Sequence, residues 1–220
     1  MIGCRAVLFD LDGTLLDTLA DIADSANAVL EERGFPIHEQ DAYRYHVGNG
    51  VKTLFQRALP EAVRSDELVE ACVASFRDVY DRRCNVKTRP FEGISELLDG
   101  LVERGVKMAV LSNKPHRFTR KCVAEYLSPW PLDPVLGQRE GIPLKPDPAA
   151  ALEIAGQLKF APREFLYLGD TGTDMLTARA AGMRPVGALW GFRPEQELRQ
   201  AGADLLIHAP GEMLSLLDGL

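Results

Sequence analysis

At 220 residues and 46% apolar composition, the chain is long enough to bury one substantial core, or a core with a small accessory domain. A formal charge of −7, with no basic run longer than Arg82-Arg83, argues against a nucleic-acid binder held by phosphate contacts. No apolar stretch is long enough to span a bilayer and no charged-then-apolar leader begins at Met1, so the expected setting is cytoplasmic, with no membrane partner. Cys4, Cys72, Cys84 and Cys122 are scattered, without a Cys-x-x-Cys pair or a histidine at ligand spacing, and read as reduced thiols.

The first element is Ala6-Val7-Leu8-Phe9, a short apolar run expected to be a strand buried on both faces. It ends at Asp10-Leu11-Asp12-Gly13, which would put Asp10 and Asp12 in the crevice outside the strand's carboxyl end, where open α/β sheets bind ligands. Residues two apart on extended chain face the same way, and two carboxylates sharing a pocket repel, so the pair implies a shared proton or a bound cation.

The pattern then turns helical. Ile22, Ala26, Val29 and Leu30 recur at helical spacing among Asp21, Asp24, Glu31 and Glu32, and Gly34-Phe35-Pro36 stops that helix. Further helical periods run over Gln40 to Tyr45, Val51 to Leu59 and Asp66 to about Asn85, with no strand between Asp17 and Lys87. Beyond Phe91, strands and helices alternate, the signature of a parallel sheet with helical crossovers. Strands are expected at Met108 to Leu111, Pro134 to Leu136, Phe165 to Leu168, Pro185 to Leu189 and Asp204 to Ile207, with a helix through Leu97, Leu98 and Leu101 closed by Gly105. The expected fold is thus α/β: a Rossmann-like parallel sheet core from residues 1–17 and 88–220, with an all-helical cap domain, 18–87, inserted on two hinges like a lid.

Polar residues with chemical uses fall after the strong strands. Ser112-Asn113-Lys114-Pro115 is expected to open a helix, where free backbone N–H groups bind anions and where Ser and Asn also serve as plain caps. Gly141 to Pro148 holds Lys145 in a loop stiffened by three prolines, and a fixed ammonium suits phosphate as a point charge. Leu168-Gly169-Asp170-Thr171-Gly172-Thr173-Asp174 sets two aspartates four apart at a helix start. Gly48-Asn49-Gly50 precedes the helix from Val51, a place where backbone can approach a ligand and N–H groups can receive a carboxylate, with Lys52 or Arg57 as possible added charge. His46, His116 and His208 have no paired ligand, and Trp190-Gly191-Phe192 reads as packing, with Arg193 able to face the cap.

FDLDGTLLDT resembles the first motif of the haloacid dehalogenase-like hydrolases, and the other three stretches resemble that family's remaining motifs, in order, over essentially the whole chain. The resemblance implies that Asp10 is a nucleophile that becomes phosphorylated and Asp12 the general acid and base. It assigns Ser112 and the backbone around Asn113 to the phosphoryl oxygens, and Lys145 to offsetting negative charge on nucleophile and substrate. It gives Mg2+ to the Asp10 carboxylate, the Asp12 carbonyl and Asp170, with Thr14 and Asp174 in support, Asp174 orienting Lys145 or a metal-bound water. The expected activity is a phosphatase similar to phosphoglycolate phosphatases, acting as monomer or homodimer on a small phosphorylated metabolite. Sugar phosphomutases resembling β-phosphoglucomutase and pyrophosphatases share these motifs, and a phosphonoacetaldehyde hydrolase would need a cap lysine such as Lys52. The stretches Val47 to Gly50 and Thr171 to Asp174 read more like the phosphatases.

Overall fold

The computed structural model describes residues 3–219; Met1, Ile2 and Leu220, assigned to the core above, lie outside the described residues. The chain opens with β1 (Ala6–Phe9) and a two-residue strand, β2 (Leu16–Asp17). Helices α1 (Leu19–Glu32), α2 (Tyr43–His46), α3 (Gly50–Ala58) and α4 (Asp66–Arg83) follow, then β3 (Arg89–Pro90) and α5 (Ile94–Glu103). Alternation sets in with β4 (Lys107–Pro115), α6 (His116–Tyr126), β5 (Leu132–Gln138), α7 (Ala149–Leu158) and β6 (Phe165–Gly169). It ends with α8 (Gly172–Ala181), β7 (Arg184–Ala188), α9 (Glu195–Gln200), β8 (Leu205–Ile207) and α10 (Glu212–Asp218).

Six strands form one parallel sheet in the order β5-β4-β1-β6-β7-β8. The chain builds outward from β1 to β4 and β5, then crosses to β6, so the order reverses at β1 and a ligand crevice opens at its carboxyl end. Side-chain alternation divides the core between the two faces. Val7 and Phe9 pack with Leu97, Leu98, Leu101 and Met213, whereas Ala6 and Leu8 pack with Ala151, Ile154, Ala155 and Ala178. This is the Rossmann-like α/β architecture, and no described helix is long and apolar enough to cross a membrane.

Between β1 and β4 the helices α1 to α4 gather a separate apolar cluster around Ala26, Val29, Tyr43, Phe55, Val73 and Tyr80, joined by Phe118 and Phe192 from outside the segment. Where the chain leaves and returns, Leu16 pairs with Pro90 and Asp17 with Arg89 in a two-stranded antiparallel ladder, too short to leave a period in the sequence. Asp21, expected on a polar helix face, is instead buried at this junction. Its carboxylate accepts the backbone N–H groups of Val86, Lys87 and Thr88 and the Thr88 hydroxyl, tying the end of the helical segment to its beginning.

Candidate active site

Asp10 extends the β1 ladder by one bond, its N–H donating to the Leu168 carbonyl at 2.9 Å, so its side chain stands where the hydrophobic strand gives out. Asp170 directly follows β6, the strand beside β1. Thr14 Oγ1 donates to Asp170 Oδ1 at 3.0 Å and the Phe192 N–H to Oδ2 at 2.7 Å. A Cβ at either Gly13 or Gly191 would overlap that carboxylate, so only glycine lets both backbone segments close on it.

Lys145 Nζ lies 2.7 Å from Asp10 Oδ1, 2.6 Å from Asp174 Oδ1 and 3.1 Å from the Leu111 carbonyl, with the side chain 4% exposed. Asp174 also closes a capping box with Thr171 at the start of α8, so one carboxylate both starts the helix and holds the lysine. Asn113 pins the lysine's backbone from both sides: Oδ1 accepts the Lys145 N–H at 2.9 Å while Nδ2 donates to the Lys145 carbonyl at 3.1 Å and to Gly48 at 3.0 Å. Its amide is therefore a clamp from β4 onto two loops, those of Gly48 and Lys145.

The expected helix start at Ser112 needs correction. Pairing of β4 with β5 persists to Pro115, the backbone stays extended through Ser112, Asn113 and Lys114, and α6 starts at His116 without a side-chain cap. Ser112 Oγ accepts the Lys114 N–H at 3.2 Å and lines the pocket beside Asp10.

Lys114 was not singled out from the sequence, yet it is buried in the pocket. Nζ donates to Asp12 at 2.9 and 3.2 Å and to the Tyr80 hydroxyl of α4 at 2.7 Å. Burial alone would lower its pKa, but Asp12 and Tyr80 raise it well above the usual lysine value. The available signal was a lysine ahead of a proline directly after an apolar strand, which reads equally as a surface turn. Asp12 Oδ1 additionally accepts the Thr18 hydroxyl at 2.8 Å.

The helical segment forms the opposite wall. Gly48 and Gly50, both at positive φ, line the pocket with Val51 at the start of α3, while Ile22, Val47, Leu54 and Phe76, joined by Phe118 of α6, make the wall largely apolar. Asn49 Nδ2 reaches Thr173 Oγ1 at 3.4 Å. Lys52 points away, 2.9 Å from Glu70 and 3.8 Å from Asp66, and Arg57 donates to the Tyr45 carbonyl at 2.7 Å; neither lines the pocket. Buried Arg193 donates to the Val47 carbonyl at 3.1 Å and pairs with Glu197 at 3.3 Å, bracing the loop ahead of Gly48.

Ligand oxygens of Asp10, Asp170 and Asp174 lie within 4.8 Å of one another, all buried. An all-carboxylate set suits a hard cation such as magnesium. Asp174 belongs to the cluster by distance, but each of its oxygens takes two donors, Lys145 and the Tyr167 hydroxyl on Oδ1 and the Thr171 N–H and hydroxyl on Oδ2, against one on each Asp170 oxygen and Lys145 on Asp10 Oδ1, which leaves Asp10 and Asp170 as the better ligands. Asp10 is pushed well above the usual carboxylate range by burial, then by Asp174 and Asp170, against the pull of Lys145. Burial, with the charge of Asp174, pushes Asp170 from 3.8 to about 7.

For an acid whose folded pKa is raised, the native state holds its proton longer than the unfolded chain, so stability falls as pH rises from about 4 to about 7 and the penalty is complete above that. A divalent cation relieves the penalty and competes with protons. Magnesium is therefore expected to raise Tm at pH 8, with affinity falling about tenfold or more per pH unit below pH 7, because Asp10, also raised by burial, must lose a proton along with Asp170. Differential scanning fluorimetry across pH checks this; a shift that survives in Asp170→Asn, or none at pH 8, would contradict it.

Residues 7–188 match the family model described as haloacid dehalogenase-like hydrolase. A phosphoglycolate phosphatase of Haemophilus influenzae is 32% identical, over 97% of this chain and 98% of its own. An N-acetylmuramic acid 6-phosphate phosphatase of Pseudomonas aeruginosa is 33% identical, over 97% and 95%. The crystal structure of a candidate phosphoglycolate phosphatase from Lactobacillus delbrueckii superposes with a TM-score of 0.91 at 30% identity, covering 98% of each chain. The chain belongs to the haloacid dehalogenase-like hydrolases and is a phosphoglycolate phosphatase-like phosphatase among them.

Proposed function

We propose that this chain is a magnesium-dependent phosphomonoesterase that works through an aspartyl-phosphate on Asp10, on a small ester such as 2-phosphoglycolate. The observation that carries the reading is Lys145, which lines the pocket from the loop between β5 and α7 and whose ammonium is buried between Asp174 and Asp10, just past the end of β1. An Asp10 carboxylate oxygen attacks phosphorus and the ester P–O bond breaks; the leaving oxygen takes a proton from Asp12. Asp12 then removes a proton from water as its oxygen attacks phosphorus, the bond to Asp10 breaks, and inorganic phosphate leaves. Lys145 holds Asp10 in place and offsets charge on the phosphoryl oxygens throughout. The carboxylates of Asp10 and Asp170, with the Asp12 carbonyl, would hold magnesium, which when bound would add positive charge for the same oxygens.

Residues 18–87 are read as a lid over this site, hinged at the β2 and β3 ladder, that keeps bulk water from the phosphoenzyme. The apolar wall leaves the start of α3 as the lid's anion receptor, with Gly48 and Gly50 allowing close backbone approach. Gly50 has φ +84° and a Cβ there would stand 3.2 Å from Leu144, so Gly50→Val displaces the loop. Wild type is expected to prefer 2-phosphoglycolate over p-nitrophenyl phosphate in kcat/KM, and Gly50→Val to erase that preference. No preference in wild type, or equal losses for both esters, removes the loop from substrate selection.

A further inference from the structure

The pocket is divided by polarity. Its floor, at the ends of the strands, carries Asp10, Asp12, Ser112, Asn113, Lys114 and Lys145, each of them hydrogen-bonded or ion-paired. The opposite wall is made of Ile22 from α1, Val51 and Leu54 from α3, Phe76 from α4, Phe118 from α6, and Val47 ahead of Gly48. Among the described residues that the helical segment contributes to the lining, the Tyr80 hydroxyl is the one polar side-chain atom, and it already receives the Lys114 ammonium at 2.7 Å. Nearby polar side chains are engaged elsewhere. Asn49 meets Thr173 and Arg57 at 3.4 Å each, and Lys52 is drawn to Glu70 at 2.9 Å.

With the phosphoryl group on the polar floor, the alcohol part of the ester meets the apolar wall. A glycolate leaving group brings a single methylene to it, too little to cover six apolar side chains, and apolar surface left wet forgoes the stabilisation its burial would supply. A sugar brings the opposite mismatch. Its hydroxyls lose water against Leu54 and Phe76 and go unpaired, since this wall offers a polyol at most the Tyr80 oxygen. We propose that the preferred substrates are phosphate esters of 2-hydroxy acids that carry an apolar side group, which packs on Ile22, Leu54, Phe76 and Phe118, and that sugar phosphates are rejected. The inference rests on the reading of the site as a phosphomonoesterase whose α3 start receives a carboxylate. That carboxylate orients the alcohol, and the buried side group supplies the selectivity.

A matched series of esters tests this in the wild-type enzyme: 2-phosphoglycolate and the phosphates of 2-hydroxypropanoate, 2-hydroxybutanoate and 2-hydroxypentanoate, each enantiomer measured separately. For the better enantiomer, kcat/KM is expected to rise about threefold per added carbon. 2-Phosphoglycerate, which has a hydroxymethyl group where the butanoate ester has ethyl, is expected to fall at least about tenfold below that ester. Val51→Thr keeps the shape of a half-buried side chain and puts a hydroxyl on the wall, so the preference for ethyl over hydroxymethyl should narrow by about threefold or more. Rates that are level or fall with length, equal rates for 2-phosphoglycerate and the butanoate ester, or a preference unmoved by Val51→Thr overturn the proposal while the phosphatase reading stands. Failure to hydrolyse any of these esters, or hydrolysis that survives Asp10→Asn, overturns the underlying reading instead, so the two failures are told apart.

Discussion

Asp10→Asn is expected to lower turnover by at least about four orders of magnitude while leaving the protein folded. The amide oxygen is a poor nucleophile towards phosphorus and a weak ligand for magnesium, so both the covalent step and charge neutralisation are lost together. Stability should move the other way. Asp10 is one of three crowded, buried carboxylates, and burial and its neighbours already oppose its charge, so replacing it with a neutral group of the same shape relieves repulsion. Lys145 retains Asp174 at 2.6 Å as partner. A Tm equal to or a few degrees above wild type, measured without metal, together with absent turnover is the expected pair of results. Phosphoenzyme trapped on another residue, or activity within tenfold of wild type, would remove Asp10 from the nucleophile's role.

What the sequence discloses about this molecule divides by the kind of physical signal. The parallel sheet was legible because strands buried on both faces, such as Ala6 to Phe9 and Phe165 to Leu168, leave unbroken apolar runs followed by polar strand ends. The weakest expected strand, Pro134 to Leu136, is the centre of β5, a longer edge strand whose alternating burial dilutes the run. The ladder between β2 and β3 was invisible because two residues carry no period. Asp21 and Lys114 were missed for a shared reason. Charged residues are usually solvated, and burial of these two depends on partners 65 or more residues away, in Val86 to Thr88 for the first and Asp12 for the second. Tyr80 reads as one more apolar-face residue of a long helix, and nothing local marks its hydroxyl. For Lys52 and Arg57, position in the chain was plain but not the side of α3 each would occupy. That side was set by Leu54, Phe55 and Ala58 turning inward, which sends Lys52 to Glu70.

Lys145 carries the other large expectation. Read from its loop alone, it serves charge and not structure; its surroundings give it both duties, because it is buried between two carboxylates. Lys145→Met keeps the length of the side chain and deletes the cation, so turnover is expected to fall by about three orders of magnitude as the nucleophile and phosphoryl oxygens lose their fixed positive charge. Removing one partner from a buried ion pair also costs about 3–5 kcal/mol, less what Asp10 recovers by taking up a proton. For a chain of this length that corresponds to a fall in Tm of roughly 5–15 °C. The two losses separate in the double variant Lys145→Met/Asp174→Asn. Neutralising Asp174 removes the orphaned charge while its amide oxygen can still accept the Thr171 N–H, so thermal stability should return by about half or more. Turnover should not return, because the cation beside Asp10 is still absent. If the double variant regains activity along with stability, Lys145 acts on catalysis only through the fold, and if Lys145→Met is both stable and active, the buried pair has neither duty.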